Sequence, residues 1–230
     1  MYFNTQTILS AALLMAGVSA QPTDSGHAHV ERAVFRDDFT TFDNKVWSCE
    51  HTCPVIEGEK ARFRLRSGIA PNNEGSWSKA RYTPKRFTSG RFTVSFSLTA
   101  KPDEPVWWGV ALWDDTGANG FNEINFGYTT DGKQLGKTEL LFESAKEGND
   151  ISIPVDTGVD LYDETWHEAT LEYDANHVAF FFDGKLLKEV TDKQYIPTAP
   201  MDFLLGPRLV RGEPMAKGFT QSIDWVEIEG

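Results

Sequence analysis

Cysteine is scarce in this 230-residue chain, since Cys49 and Cys53 are the only two. The chain therefore cannot have the many-disulfide framework of small secreted domains. A pair this close in sequence favours one disulfide that closes a small loop in an oxidising compartment. The alternative is a metal site with His51 as a third ligand, although this spacing fits no common zinc pattern.

Basic residues are also few. Lys and Arg number 22 against 34 Asp and Glu, which gives a net charge of −12. Phosphate backbones and anionic lipid surfaces repel such a chain, so we expect neither nucleic acid nor a membrane as a partner. The sequence has no Asn-x-Ser/Thr acceptor for N-glycosylation. We expect no cofactor and no bound metal.

Long apolar runs are missing beyond the N-terminus. The stretch Ile8–Val18 is apolar but too short to span a bilayer, and small residues follow it up to Ala20. This pattern predicts a secretory signal peptide over residues 1–20, and hence a secreted protein or one of the secretory pathway. Residues 21–33 are expected to form a disordered lead-in.

No segment shows a sustained helical period, and short alternating apolar runs dominate instead. They predict strands at Val34–Phe39, Val55–Ile56, Ala61–Arg66, Trp77–Tyr82, Gly90–Ala100, Val106–Trp113, Phe121–Thr129, Thr138–Glu143, Ile151–Val155, Trp166–Asp174, His177–Phe182, Lys185–Val190, Met201–Pro207 and Phe219–Ile228. Asp183-Gly184 predicts a two-residue hairpin between two of them. Many short strands at this spacing indicate an all-β jelly-roll sandwich. We expect a single domain over residues 34–230, acting as a monomer.

One strand carries the most informative pattern. Because alternate side chains of an extended chain share a face, Ile124 and Phe126 are expected to enter the core. Glu123, Asn125 and Gly127 then face the other way. A face of the form Glu-x-Asp-x-Glu is what a retaining glycosidase needs, with a nucleophile, an acid/base and an acid between them. This strand resembles the signature Glu-Ile-Asp-x-Glu of glycoside hydrolase family 16.

The resemblance to that family covers most of the chain. Its other matching segments are Ser89–Val94, Trp107–Trp113, Trp166–Tyr173, Phe181–Lys185, Pro197–Met201 and Ser222–Ile228. The resemblance implies a concanavalin A-like jelly roll with a cleft on its concave sheet and Glu123 near the middle. It also exposes a departure, since Asn125 stands at the central acid. The acid/base position is Gly127, or Tyr128 if the strand carries an extra bulge residue.

Aromatic and basic residues of the implied cleft have two interpretations each. Alternation puts Trp107 and Trp113 on one face of their strand, where they either form a platform for sugar rings or belong to the core. Arg208 falls where the family has a strand across the cleft. It either binds a ligand oxygen or forms an ion pair with one of the many acids.

Two further glutamates are candidates for the missing acid. In the strand after the signature, Leu140 and Phe142 form the apolar face, so Glu139 and Glu143 are expected on the same side as Glu123. Either one replaces the lost carboxyl, or both are solvated charges at the rim.

The sequence thus predicts a secreted glucanase-like protein whose cleft binds a β-glucan-type glycan without the standard hydrolytic dyad. Glu123 is the catalytic candidate if activity remains, and Asn125 and Tyr128 are ligand-binding candidates. One alternative is a pericyclase of the hetero-Diels–Alderase type in a fungal natural-product pathway, which uses pre-organisation rather than an acid/base pair. Another is an active β-glucanase, transglycosylase or uronate lyase with a substitute acid/base. The expected partner is a glycan or a small molecule.

Overall fold

The computed structural model describes residues 34–128 and 135–230. The predicted signal peptide and lead-in lie outside these ranges, as does Thr129 at the end of a predicted strand. Where the chain is described, its regular structure is entirely β. No helix in these ranges is long and apolar enough to cross a membrane. The predicted all-β class and single domain are confirmed.

The strands, in chain order, are β1 (Val34–Asp37), β2 (Trp47–His51), β3 (Val55–Ile56), β4 (Ala61–Leu65), β5 (Ser78–Tyr82), β6 (Gly90–Leu98), β7 (Val106–Asp114), β8 (Asn122–Tyr128), β9 (Glu139–Lys146), β10 (Asn149–Asp156), β11 (His167–Tyr173), β12 (Val178–Phe182), β13 (Lys185–Val190), β14 (Asp202–Leu205), β15 (Arg208–Leu209) and β16 (Phe219–Glu229). They form two sheets. The back sheet has the order β13-β12-β11-β6-β16-β4-β3, with β1 beside β16. The front sheet has the order β10-β9-β8-β7-β14-β5-β2, with β15 beside β7.

The core lies between the inner faces of the two sheets and is built mainly of aromatic rings. Phe92 of the back sheet stacks on Phe203 of the front sheet, with ring centroids 5.1 Å apart. Phe126 of the front sheet and Phe180 of the back sheet also pack together, with centroids 4.1 Å apart and the rings tilted by 41°. Alternate residues along each strand supply these rings, so the opposite residues are left for the outer faces.

Two tight hairpins have the backbone that the turn residues require. Asp183 and Gly184 both have positive φ, 46° and 75°, and join β12 to β13 as predicted. Glu147 and Gly148 have φ of 51° and 78° and join β9 to β10. Positive φ at both central positions matches the twist of the flanking strands. The second hairpin lengthens β9 and β10 beyond their predicted bounds.

Two strands, β2 and β15, were not predicted from the sequence. In β2 only Trp47 is buried, and the remaining residues are polar or belong to the disulfide loop. The two-residue β15 pairs Arg208 with Trp107. Neither segment has an apolar alternation that would have predicted a strand. Each one is extended because it pairs with a neighbouring strand of the front sheet, β2 with β5 and β15 with β7. Both strands border the cleft described next.

Candidate functional site

A cleft of about 530 Å³ lies on the outer face of the front sheet. It is lined by Glu50, Trp77, Lys79, Arg81, Trp107, Ala111, Trp113, Asp115, Glu123, Asn125, Glu143, Asp150, Ser152, Leu204, Arg208, Val210 and Arg211. A volume of this size is typical of ligand sites. Ile124 and Phe126 are fully buried on the opposite face of β8, so the alternation along this strand is as predicted.

The strand register places six residues at the centre of the cleft in one row across the front sheet. Its members, from β10 to β5, are Ser152, Glu143, Asn125, Ala111, Leu204 and Arg81, each paired with the next across the sheet. Adjacent strands lie about 4.8 Å apart, so five steps span roughly 24 Å. The row is polar at both ends and apolar in the middle. It suits an elongated, amphipathic ligand better than a small round one.

Asn125 connects two carboxylates in this row. Its Nδ2 donates to Glu123 Oε1 at 2.9 Å and to Glu143 Oε2 at 2.8 Å. Ser152 Oγ donates to the other oxygen of Glu143 at 2.6 Å. The front sheet thus brings Glu123, Asn125 and Glu143 together. Asn125 itself is almost fully buried, and its Oδ1 has no hydrogen-bond donor among the described residues.

The environment of Glu123 favours its protonated form. Burial, and after it the negative charge of Glu143, raises the pKa of Glu123 to about 7. The hydrogen bond from Asn125 and the charge of Lys79 act in the opposite direction but are weaker. Glu123 therefore holds a proton to a higher pH than an ordinary glutamate does, and it can donate that proton.

Gly127 occupies a β-bulge. The pairing of β8 with β9 shifts between Phe126 and Tyr128, which leaves Gly127 as the extra residue. Its φ is +106°, and a Cβ there would lie 2.1 Å from the carbonyl oxygen of Trp108. Such a Cβ would meet the backbone of β7, so the glycine serves the bulge and does not enlarge the cleft floor. The strand therefore carries the extra bulge residue, the case in which the predicted acid/base position is Tyr128 rather than Gly127.

Apolar side chains form the middle of the cleft floor. Trp107, Ala111, Leu141 and Leu204 are buried together, and Trp113 packs against them. Trp107 is only 6% exposed, and its Nε1 has no acceptor among the described residues. Trp113 is half-buried and stacks on Phe121 with an angle of 15° between the rings. Both predicted tryptophans thus line the cleft, although Trp107 is also a packing residue.

A second aromatic stack borders the cleft at β5 and β15. Arg208 lies with its guanidinium carbon 3.9 Å from the centre of the Trp77 ring and donates to Asn72. His51 stacks on Trp77 with the ring centroids 4.4 Å apart. His51 belongs to the loop closed by the disulfide between Cys49 and Cys53, a bond that was predicted.

The disulfide excludes the alternative metal site at Cys49, His51 and Cys53, because both thiols are bonded to each other. Within the described ranges no group of three His, Cys, Asp or Glu residues could hold a metal ion.

Lys79 was missed by the sequence analysis. It lies on β5, is 8% exposed, and its Nζ is 5.2 Å from the ring centre of Trp77 and 5.1 Å from that of Trp107. Burial lowers the pKa of Lys79 to about 8 despite the opposing charge of Glu50. In sequence it is one of two alternating basic residues in a short strand, a pattern that is usually solvated.

Glu139 does not join the cleft. It lies at the first position of β9, where its Oε2 accepts a hydrogen bond from the Gly136 amide at 2.7 Å. Glu143 is four residues further along the same strand and lies at the centre of the cleft, whereas Glu139 lies at the end of the strand. Of the two glutamates predicted as substitutes, only Glu143 contacts Asn125 in the described structure.

Comparison with known proteins places the fold. A lichenase from a mouse hindgut metagenome superposes with a TM-score of 0.68 and 16% identity, covering 85% of this chain and 98% of that one. The Crh5 transglycosylase in complex with NAG gives 0.64 and 17%, covering 87% and 85%. A family 16 endo-glucanase from Bacteroides ovatus, in complex with G4G3G-2F-DNP, gives 0.63 and 17%, covering 84% and 99%. No curated protein matches the sequence.

The family model of the concanavalin A-like lectin/glucanases superfamily matches residues 73–228. This range runs from just before β5 to the last strand and includes most of the cleft. At the identities given above, the solved structures establish a shared fold of the glycoside hydrolase family 16 type. The chain belongs to the concanavalin A-like lectin/glucanases superfamily.

Proposed function

We propose that the front-sheet cleft binds a β-glucan-type glycan and does not hydrolyse it efficiently by the mechanism of family 16 enzymes. The observation that supports binding is the row of Glu143, Asn125 and Ala111 beside the indoles of Trp107 and Trp113. Sugar rings have apolar faces that pack on indoles and hydroxyl edges that bond to carboxylates and amides. A cleft with an apolar floor and a polar row suits both.

The same residues argue against the standard double displacement. A nucleophilic carboxylate has to be ionised, whereas the pKa of Glu123 is raised to about 7. Asn125 cannot relay a proton as an aspartate would. Neither Gly127 nor Tyr128 carries a carboxyl that could protonate the leaving oxygen at the usual acid/base position.

Two further observations support the choice of ligand and compartment. The lichenase, transglycosylase and endo-glucanase that share this fold are glucan- or glycan-related by name. A disulfide forms and persists in oxidising compartments, which agrees with the predicted secretion. An N-terminus beginning after Ala20, found by mass spectrometry of the mature protein, would support export. A mature protein that retains Met1 would contradict it.

The test of binding is retention on insoluble β-1,3-glucan and calorimetry with soluble laminarin and lichenan fragments. Trp113→Ala removes one indole of the floor, and we expect roughly a tenfold loss of affinity. Trp166→Ala is the matched control, since Trp166 is exposed, directly precedes β11 of the back sheet and does not line the cleft. No binding by the wild-type protein, or equal losses in both variants, would contradict the proposal.

A second candidate function is glycoside cleavage with Glu143 in place of the missing carboxyl. It is favoured by the shared Asn125 contact, because the two accepting oxygens are then no farther apart than the sum of two hydrogen-bond lengths. Retaining glycosidases separate their carboxyls by about 5–5.5 Å. In this case Glu123, with its raised pKa, would be the acid and Glu143 the nucleophile.

Release of reducing ends from laminarin or lichenan separates the two functions. Release that Glu143→Gln and Glu123→Gln both abolish would establish cleavage and overturn the first proposal. Release unaffected by either variant points to a contaminating enzyme. A cleft that ignores glucans but retains apolar natural-product intermediates would instead favour the pericyclase alternative.

A further inference from the structure

Lys79 is a buried cation that has no close anionic hydrogen-bond acceptor among the described residues. Its side chain is 10% exposed, and the carboxylate nearest to Nζ is that of Glu50, at 4.0 Å. The other Glu50 oxygen accepts hydrogen bonds from Arg81. A buried ammonium normally requires close hydrogen-bonding partners, because water no longer solvates it. A gap of 4.0 Å is too long for a hydrogen bond, so the described residues do not supply such a partner at Lys79.

The surroundings of Lys79 are aromatic on two sides. Trp77 and Trp107 each present a ring about 5 Å from Nζ. Ring faces attract the cation weakly and leave its donors unused. The free direction is the cleft itself, since Lys79 is one of the residues that line it.

Charge is divided across the cleft. Lys79 lies on β5 and Arg208 on β15, at one side of the cleft. Glu123 and Glu143 lie on β8 and β9, toward the opposite edge of the front sheet. Arg208 reinforces the cationic side, because its positive charge helps to lower the pKa of Lys79. An anion placed there would supply the close partner that Lys79 lacks among the described residues and would lie near the charge of Arg208.

We propose that Lys79 and Arg208 form an anion subsite that holds the acidic substituent of a sugar, so that the glycan bound by this cleft is an anionic one. The inference rests on the proposed glycan binding and makes it specific. The shared chemistry is a negatively charged oxygen group on a pyranose ring, either the carboxylate of a uronate or a sulfate ester. Lys79 approaches the group as a point charge and Arg208 as a planar donor.

A neutral glucan cannot satisfy this subsite fully. Its hydroxyls accept hydrogen bonds but bring no charge, and a charged acceptor forms a markedly stronger bond with a buried ammonium. We therefore expect the wild-type protein to prefer an anionic oligosaccharide over its neutral counterpart by about 10- to 100-fold. The preference should fall with added salt, since exposed parts of the subsite are screened.

The experiment compares three probes by calorimetry at pH 7 and low salt. They are a β-linked glucose oligosaccharide, the same oligosaccharide with one glucose oxidised to glucuronate, and its sulfate monoester. Lys79→Met keeps the length of the side chain and removes its charge, so the ratio of anionic to neutral affinity should fall to about one. Lys137→Met is the matched control, because Lys137 is exposed and paired with Asp160 outside the cleft. It should keep the wild-type ratio.

The outcomes separate the two proposals. Equal affinity of the wild-type protein for neutral and anionic probes would overturn the anion subsite and leave glycan binding intact. No affinity for any probe would overturn glycan binding. A preference that survives Lys79→Met would show that the anion is held elsewhere. Preference for only the glucuronate or only the sulfate ester identifies the source of the charge.

A measurement on the wild-type protein covers the case in which Lys79→Met does not fold. The pKa of the buried lysine, read from NMR of reductively methylated protein, should rise when glucuronate is added, because an anion stabilises the charged form. An unchanged pKa under saturating anionic oligosaccharide would overturn the subsite.

Discussion

The outer faces of both sheets carry acidic and basic side chains, but these side chains differ in their exposure to water. On the back sheet Arg91 pairs with Glu172 at 2.6 Å, and Lys60 with Asp224 at 2.7 Å. The side chains of both pairs are between 28% and 39% exposed. Charges of this kind cost little whether or not they are paired, because water solvates them.

In the cleft of the front sheet Lys79 is buried, and Glu123 and Glu143 are partly buried. Glu123 and Glu143 share the amide of one asparagine, and Lys79 is held between two indoles. Among the described residues, this face holds a lysine whose pKa is lowered and a glutamate whose pKa is raised, so the charged forms of both are unfavourable without a ligand. Groups displaced from their usual pKa in a cleft are typical of functional sites. The shifted pKa values in the cleft therefore favour the front sheet as the functional face.

The largest difference between the two faces is expected for removal of a tryptophan from each side of the sandwich. Trp107→Ala should lower the free energy of unfolding by about 3–5 kcal/mol, because it leaves a cavity in the cleft floor. Trp166→Ala should change it by less than about 1 kcal/mol, since the ring is 37% exposed. Urea denaturation of both variants measures the contrast. Similar losses would mean that the two faces are packed alike.

A new carboxylate at the centre of the cleft should have the next largest effect. Asn125→Asp loses two donated hydrogen bonds and places an acid between Glu123 and Glu143. We expect a loss of roughly 2–3 kcal/mol at pH 8 that becomes smaller toward pH 5, as the added carboxyl takes up a proton.

The control for this change lies in the turn before β12 of the back sheet. Asn176 is exposed, and its Oδ1 accepts a hydrogen bond from Lys193 at 2.7 Å. Asn176→Asp should be neutral or slightly stabilising, because the new charge is opposite to that of the lysine. A loss for Asn125→Asp that is independent of pH would contradict the electrostatic explanation.

Glu123→Gln tests the raised pKa directly. The folded state raises the pKa of Glu123 from the ordinary 4.5 to about 7, so it binds more protons than the unfolded state between these values. Stability from this group is therefore lost as pH rises from about 5 to about 7. Glutamine does not titrate, so the variant should gain on the order of 1–2 kcal/mol over the wild-type protein at pH 8 and little at pH 5.

Thermal unfolding at both pH values measures that gain. Glu227→Gln is the back-sheet control, because Glu227 pairs with Arg36 at 3.7 Å in a solvent-exposed position. It should show no comparable rise with pH. A variant of Glu123 that is equally destabilised at both pH values would indicate a hydrogen-bonding role without a shifted pKa.

Strand alternation made one side of the cleft predictable. The period of two along β8 and β9 fixes which residues face the core and which face outward, whatever the rest of the fold is. Glu123, Asn125 and Glu143 therefore could be assigned to one face from the sequence. Their hydrogen bonds could not, because they depend on the register between strands. The choice between Gly127 and Tyr128 depended on the same register, since the irregularity at Gly127 shows in the pairing of β8 with its neighbours β7 and β9.

On the other side of the cleft, Lys79 was not predictable for a different reason. It is buried by Trp77, two residues before it, and by Trp107, which lies far away in the sequence. Arg208 belongs to a two-residue strand that has no pattern of its own, so its position at the cleft was expected only from the family resemblance. Burial that arises from distant segments leaves no local signal.

The smallest effect is expected for an ion pair of the back sheet. A double-mutant cycle on Arg91 and Glu172, with each residue replaced by alanine, should give a coupling of about 0.2–1 kcal/mol. In roughly 1 M salt, where screening acts over only about 3 Å, most of that coupling should vanish. Urea denaturation at low and high salt measures it. A coupling above about 2 kcal/mol that resists salt would mean that the back-sheet charges are as poorly solvated as those of the cleft, and the contrast between the two faces would fail.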